Sequence, residues 1–164
     1  MKRIGARSLA FAALSLALLV SQAVEARTAE KGNERDVAEI MAALSKCKPV
    51  SAHIVLIDED ILTRASISPE RALTYDSARH VRIGKGDPRL ARLAALVAGL
   101  RPEKAAHGAI DVRTLLEVKC SGEHAHRIAA AKSEAVQPTS LDIDGAPART
   151  FEPFRAALEE LFGK

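Results

Sequence analysis

"IDVRTLLEVKCSGEHAHRIAAAK" (110–132) is the stretch whose reading decides the fold. Ile110, Val112, Leu116, Val118 and Cys120 share one parity, as the inward face of a strand requires. Apolar residues resume at Ile128. Ser121-Gly122-Glu123 between them is a small polar cluster with a glycine, the composition of a tight turn. Two long strands, roughly 109–120 and 124–134, are therefore expected as an antiparallel hairpin.

The turn decides which way the chemistry faces. His124 and His126 stand two apart, so a strand places both on one face. A two-residue turn (Ser121-Gly122 or Gly122-Glu123) puts them opposite Cys120, beside Glu117 and Lys119. A three-residue loop (Ser121 to Glu123) brings them round to the Cys120 and Val118 face, with Ile128 also inward. Two-residue turns are the commoner connection, but Ile128 favours the longer one. Paired histidines at this spacing are a genuine metal-ligand geometry, and Glu123 or Glu117 could join them, as could a remote His53, His80 or His107. An exposed polar strand or a hydrogen-bonded pair explains the same residues. No metal and no cofactor are expected, and His124, His126 and Glu123 are the candidates should a metal be held.

Cys47 and Cys120 are the only cysteines. Val37, Ile40, Met41, Leu44 and Cys47 recur at helical spacing, so Cys47 also faces inward, and Pro49 stops that helix. An even pair on two inward faces of an exported chain reads as a disulfide. Closing so long a loop would stabilise by about 4 kcal/mol, mainly by restricting the unfolded chain.

Export is read from the first residues. Lys2, Arg3 and Arg7 precede an apolar run from Leu9 to Val20, and Val24-Glu25-Ala26 fits a cleavage site. That order is a secretory signal over 1–26, too short in its apolar part to span a bilayer as a mature helix. Residues 27–33 are expected to be a flexible N-terminus, followed by one domain over 34–164. The expected address is periplasmic or secreted, with no membrane span after cleavage. The chain carries +3, and losing the signal removes three basic and one acidic side chain, leaving +1. So small a charge gives no electrostatic case for nucleic acid, and one Tyr, four Phe and no Trp supply few stacking platforms.

The remaining segments complete the plan. A helix is expected over about 34–46. "VSAHIVLI" (50–57), apolar on both parities, reads as a central strand, and "ILTRASI" (61–67) as its returning partner across Asp58-Glu59-Asp60. Residues 72–76 read as extended and "RHVRI" (79–83) as a short strand. "GKGDP" (84–88) lacks the four-residue spacing of a Walker loop, and Asp87 as N-cap with Pro88 at N1 explains it as a helix start. Leu90, Leu93, Leu96, Val97 and Leu100 mark the buried stripe behind it. "SLDIDGAPART" (140–150) reads as a hairpin turning on Asp144-Gly145, because its D-x-D-G lacks the rest of a calcium loop. The last helix, about 152–162, presents Phe154, Leu158, Leu161 and Phe162, with Phe151 packing at its start.

The fold class expected is α+β, a mainly antiparallel sheet with about three helices in the order α-β-β-β-α-β-β-β-α. The helices should lie largely on one face. His53 on the central strand is a potential general base, though a hydrogen-bonded core histidine accounts for it more simply. No nucleophile elbow, H-E-x-x-H, C-x-x-C or dinucleotide fingerprint is present in the sequence. The leading functional expectation is a protein-binding module with a partner in the envelope, of an inhibitor or immunity type. Its candidate binding loops are 58–60 (Asp58, Glu59, Asp60), 84–87 (including Lys85 and Asp87) and 121–124. The alternatives are a small hydrolase using histidine and carboxylate residues, zinc-dependent or not, and a structural or small-ligand-binding envelope protein.

Overall fold

The computed structural model describes residues 36–163 except 107, 123, 124, 134 and 135. The expected signal over 1–26, the expected flexible N-terminus over 27–33, His107, Glu123 and His124 therefore lie outside the described residues. Among those described, no helix is long and apolar enough to cross a membrane.

The chain forms α1 (Val37–Lys46), β1 (Pro49–Leu56), α2 (Pro69–Ala72), β2 (Arg79–Ile83), α3 (Arg89–Gly99) and β3 (Glu103–Lys104). It continues with β4 (Thr114–Cys120), β5 (Ala125–Ala130), β6 (Thr139–Ile143), β7 (Ala146–Thr150) and α4 (Phe154–Phe162). All pairings are antiparallel, and the sheet runs β2-β1-β4-β5-β6-β7-β3. The α+β class and the antiparallel sheet match the expectation.

Each long helix forms because its apolar residues fall on one stripe. Val37, Ile40 and Leu44 are the buried side of α1, Leu90, Leu93 and Val97 that of α3, and Phe154 and Leu158 that of α4. The Asp36 carboxylate accepts from the Ala38 N–H and caps α1. These stripes pack on the sheet face carrying Ala52, Ile54, Leu56, Leu116, Val118, Ile128, Leu141 and Ile143. The opposite face has a second, smaller core. Val55, Leu115 and Ala129 stand side by side on β1, β4 and β5, and Ile57, Ile67, Ala72 and Val112 close over them.

That second core corrects the reading of 61–67 and 72–76. Ile61 and Ile67 do supply apolar bulk, but the segment is an irregular cover, not a returning strand. The Ile67 N–H is satisfied by the Asp111 carboxylate, and the Ile67 carbonyl by the Val112 N–H. Ser68 and Pro69 start the short α2 instead of continuing an extended run, because Ser68 Oγ accepts from the Arg71 N–H and Pro69 suits the first turn. Residues 72–75 continue in tight turns. The long hairpin is shorter than expected, with strands at Thr114–Cys120 and Ala125–Ala130. The two-residue edge strand β3 carries no pattern that periodicity can detect. Phe151, expected to pack at the start of α4, is 73% exposed.

The Asp144-Gly145 turn is confirmed. Ile143 pairs with Ala146, and the two turn residues both take positive φ, 52° and 87°. This is the backbone of a type I′ turn, which asparagine, aspartate and glycine tolerate.

Candidate functional site

Register assigns His126. Val118 pairs with His126 and Lys119 with Ala125, which centres the turn on Gly122. Gly122 takes φ 111°, as such a loop needs. His126 thus lies on the Val118 face, and the three-residue alternative holds. Its Nδ1 lies 2.6 Å from Asp144 Oδ2 at the neighbouring hairpin tip, and both side chains are largely buried. Asp144 Oδ1 also accepts from the Arg127 N–H at 2.7 Å. The carboxylate therefore fixes the imidazole and ties β5 to the turn. Glu117, the proposed companion of His126, points to the opposite face.

Cys47 and Cys120 are joined in a disulfide with a Cα–Cα distance of 5.4 Å. It links the end of α1 to the end of β4, where the Ser121 N–H also donates to the Lys48 carbonyl. Helix layer and sheet are clamped at the hairpin end.

Away from the helices, the part of the sheet not covered by the second core carries a polar row. Arg82, His53, Glu117 and Arg127 are successive cross-strand partners on β2, β1, β4 and β5. His53 Nε2 lies 3.1 Å from His80 Nδ1, and the two rings stack with centroids 5.3 Å apart. His53 Nδ1 faces Glu117 Oε2 at 3.8 Å. Arg127 donates to Glu117 Oε1 through Nε and Nη2, and reaches Glu70 at 2.7 Å. Burial, followed by Arg82 and His80, lowers the His53 pKa from its ordinary 6.5, against the opposing pull of Glu117. His53 is thus a half-buried, hydrogen-bonded histidine that favours its neutral form at pH 7.

The candidate loops divide between the two ends of the sheet. Loop 84–87 lies at the hairpin end, because Ile83 pairs with Ala52 near the start of β1. There Asp87 accepts from the Arg89 N–H and binds its guanidinium, with Nη2 to Oδ2 at 2.6 Å. The N-cap position falls on Pro88, which offers no side-chain bond, so α3 begins one residue later than expected; Asp87 just ahead of it accepts from the first helical N–H, and Lys85 is exposed. Arg89 holds the Asp87 carboxyl below the usual carboxylate range.

Loop 58–60 lies at the other end. Asp58 Oδ1 accepts from the Asp60 N–H, closing the acidic turn. Lys132 donates to the Glu59 carbonyl and to Asp60, and the Ser133 N–H donates to the Glu59 carboxylate. Arg155 on α4 donates to the carbonyls of Ile57 and Arg113. The loops following β1 and β5 are thereby pinned to one another, and the first turn of α4, which succeeds the loop after β7, is tied to the same end. On these three loops stand the exposed large hydrophobic residues Leu62, Val136 and Phe151, at 98%, 90% and 73% exposure. They lie far apart in the sequence, so only the strand order reveals that all three share an end.

A further concavity of about 440 Å³ lies between α1 and the end of α3, bordered by Met41, Ser45, Ala98, Leu100 and Arg101. Comparison with protein-family models, curated proteins and solved structures finds no match for this chain.

Proposed function

We propose that the protein is an exported protein-binding module of the inhibitor or immunity type, engaging a partner in the envelope through the loop end of its sheet. The observation that carries this reading is the exposure of Leu62, Val136 and Phe151 on loops that leave the same end of the sheet, two of which are braced to one another. Large apolar side chains left in water have burial free energy to release against a partner, and clusters of them mark interaction surfaces. The bracing matters as much as the exposure. The loop after β1, held by Lys132, Ser133 and Arg155, loses little conformational entropy when it docks. Asp58 and Asp60 at the same end give the surface an acidic border, suited to a partner with basic residues around an apolar pocket. The disulfide is compatible with an oxidising compartment.

The test is a triple variant, Leu62→Ser, Val136→Ser and Phe151→Ser, compared with the unaltered protein in affinity capture from envelope extract. The substitutions touch exposed positions, so thermal stability should be retained while the captured partner falls at least about tenfold. Equal recovery with both proteins would remove the loop end from the account.

One observation favours the hydrolase alternative. Asp144 orients His126 as a carboxylate orients the imidazole of a general base. In that reading His126→Ala abolishes a hydrolytic activity that the triple loop variant keeps.

A further inference from the structure

The longer free edge of the sheet is a surface distinct from the loop end. Strand order leaves β2 with one neighbour, β1, whereas the opposite edge, β3, is two residues long. Alternate residues of an edge strand turn an N–H and a C=O outward with no ladder partner. Among the described residues, no backbone bond from another segment takes up these groups over Arg79–Ile83. We propose that β2 accepts an acidic extended segment of a partner protein as an added strand.

Register sorts the side chains that such a strand would meet. His80 and Arg82 lie on the open face, the face of His53, and both are exposed. Val81 and Ile83 lie on the other face and pack against the helix-side core. Arg79 shares that second parity, but its guanidinium is engaged by the Phe162 and Gly163 carbonyls at the end of α4. An added strand is therefore read on both faces. Carboxylates of one parity stand beside Arg82 and His80, and β-branched residues of the other beside Val81 and Ile83.

Charge selects the occupant. Arg82 makes no hydrogen bond or ion pair among the described residues, and neither does Lys85 in the turn that follows. Of the carboxylates around them, Glu117 is held by Arg127 and Asp87 by Arg89, while Asp76 stands ahead of the strand, beyond Arg79. The edge thus offers two uncompensated cations to whatever pairs with it. A second copy of this chain does not supply their counter-charge. β2 contains no carboxylate, so two copies joined edge to edge would bring only arginine and histidine together on the open face. Cationic side chains also deter indiscriminate pairing at a free edge, which leaves an acidic strand as the selective occupant.

The test is an NMR titration of the ¹⁵N-labelled protein, purified from cells expressing the full chain, with a nine-residue peptide of alternating glutamate and valine. Amide signals should shift first over Arg79–Ile83 and in the facing residues of β1. N-methylation of the nitrogens on one edge of the peptide should abolish these shifts, and N-methylation of the other edge should not. The double variant Arg82→Glu, Lys85→Glu, altered at exposed positions, should bind the glutamate peptide at least about tenfold more weakly and take a lysine–valine peptide in its place. Its outcome is independent of the loop end, since Arg82 and Lys85 lie outside the loops after β1, β5 and β7. No shift at about 1 mM peptide, shifts indifferent to methylation of either edge, or equal affinity in the charge-reversed variant would each overturn the proposal. So would shifts centred on the loops after β1 and β5, or peptide-free shifts over β2 that grow with protein concentration, which would assign the edge to a second copy.

Discussion

Removing the Cys47–Cys120 disulfide should be the most damaging change short of hollowing out the core. The two residues are 73 positions apart, and the bridge encloses β1, the outer cover with α2, β2, α3, β3 and β4. A closed loop of that length restricts the unfolded chain by about 4.4 kcal/mol at 25 °C on the chain-entropy relation. Cys120 is buried and Cys47 half-buried, so a Cys47→Ala, Cys120→Ala double variant adds only a small packing loss. For a domain of this size urea unfolding has a slope of roughly 1.5–2 kcal/mol per molar, so the midpoint should fall by about 2–3 M. Urea titration followed by far-UV circular dichroism measures it, with the reduced parent as a parallel case. A midpoint shift below about 0.5 M would refute the reasoning, since it would mean that the bridge contributes under roughly 1 kcal/mol. Two alkylatable thiols in the unreduced, unfolded protein would refute it earlier.

Other consequences concern packing, bracing and pH. Leu116→Ala, at a fully buried position facing the helices, should cost about 3 kcal/mol in the same titration. Arg155→Met should cost about 2 kcal/mol by leaving the Ile57 carbonyl without its donor, while the Arg113 carbonyl keeps the Ile57 N–H, and hydrogen exchange should quicken in the loop after β1. Stability should fall as pH drops below 6.5. The folded state holds His53 at a lowered pKa, so the unfolded chain takes up the proton first and gains on acidification. His53→Gln should flatten that slope in thermal melts between pH 7 and 5; an unchanged slope would assign it to other groups.

How much of this was legible in the sequence depends on whether the signal is local. The helix stripes and the Asp144-Gly145 turn are properties of single segments, and they stand as expected. Hairpin parity was undecided by the turn residues alone, but Ile128 favoured the longer loop because it extends the apolar parity of Leu116 and Val118 across the hairpin, where it pairs with Leu116. The 61–67 segment misleads for a physical reason. Burying Ile61 and Ile67 over Val55 and Leu115 requires apolar residues, just as a strand does, and only the Asp111 carboxylate at the Ile67 N–H distinguishes the two. Phe151 fails similarly, since an aromatic next to a helix start reads as core in one dimension. The His53–His80 pair and the shared end of Leu62, Val136 and Phe151 depend on strand order. Polar residues on the outward parity of β1, β2 and β4 were visible, but not that they adjoin. The acidic turn at 58–60, singled out from sequence, lies at the proposed binding end, whereas Asp87 binds Arg89 at the start of α3.

The central claim, that the loop end is where a partner docks, is tested most directly by site-specific photo-crosslinking in the intact envelope. A photoreactive residue placed in turn at Leu62, Val136 and Phe151 should give one discrete heteromeric adduct common to all three positions. The same residue at Arg92, exposed on α3, should give none. No adduct at the loop positions, or the same adduct from Arg92, would contradict the account.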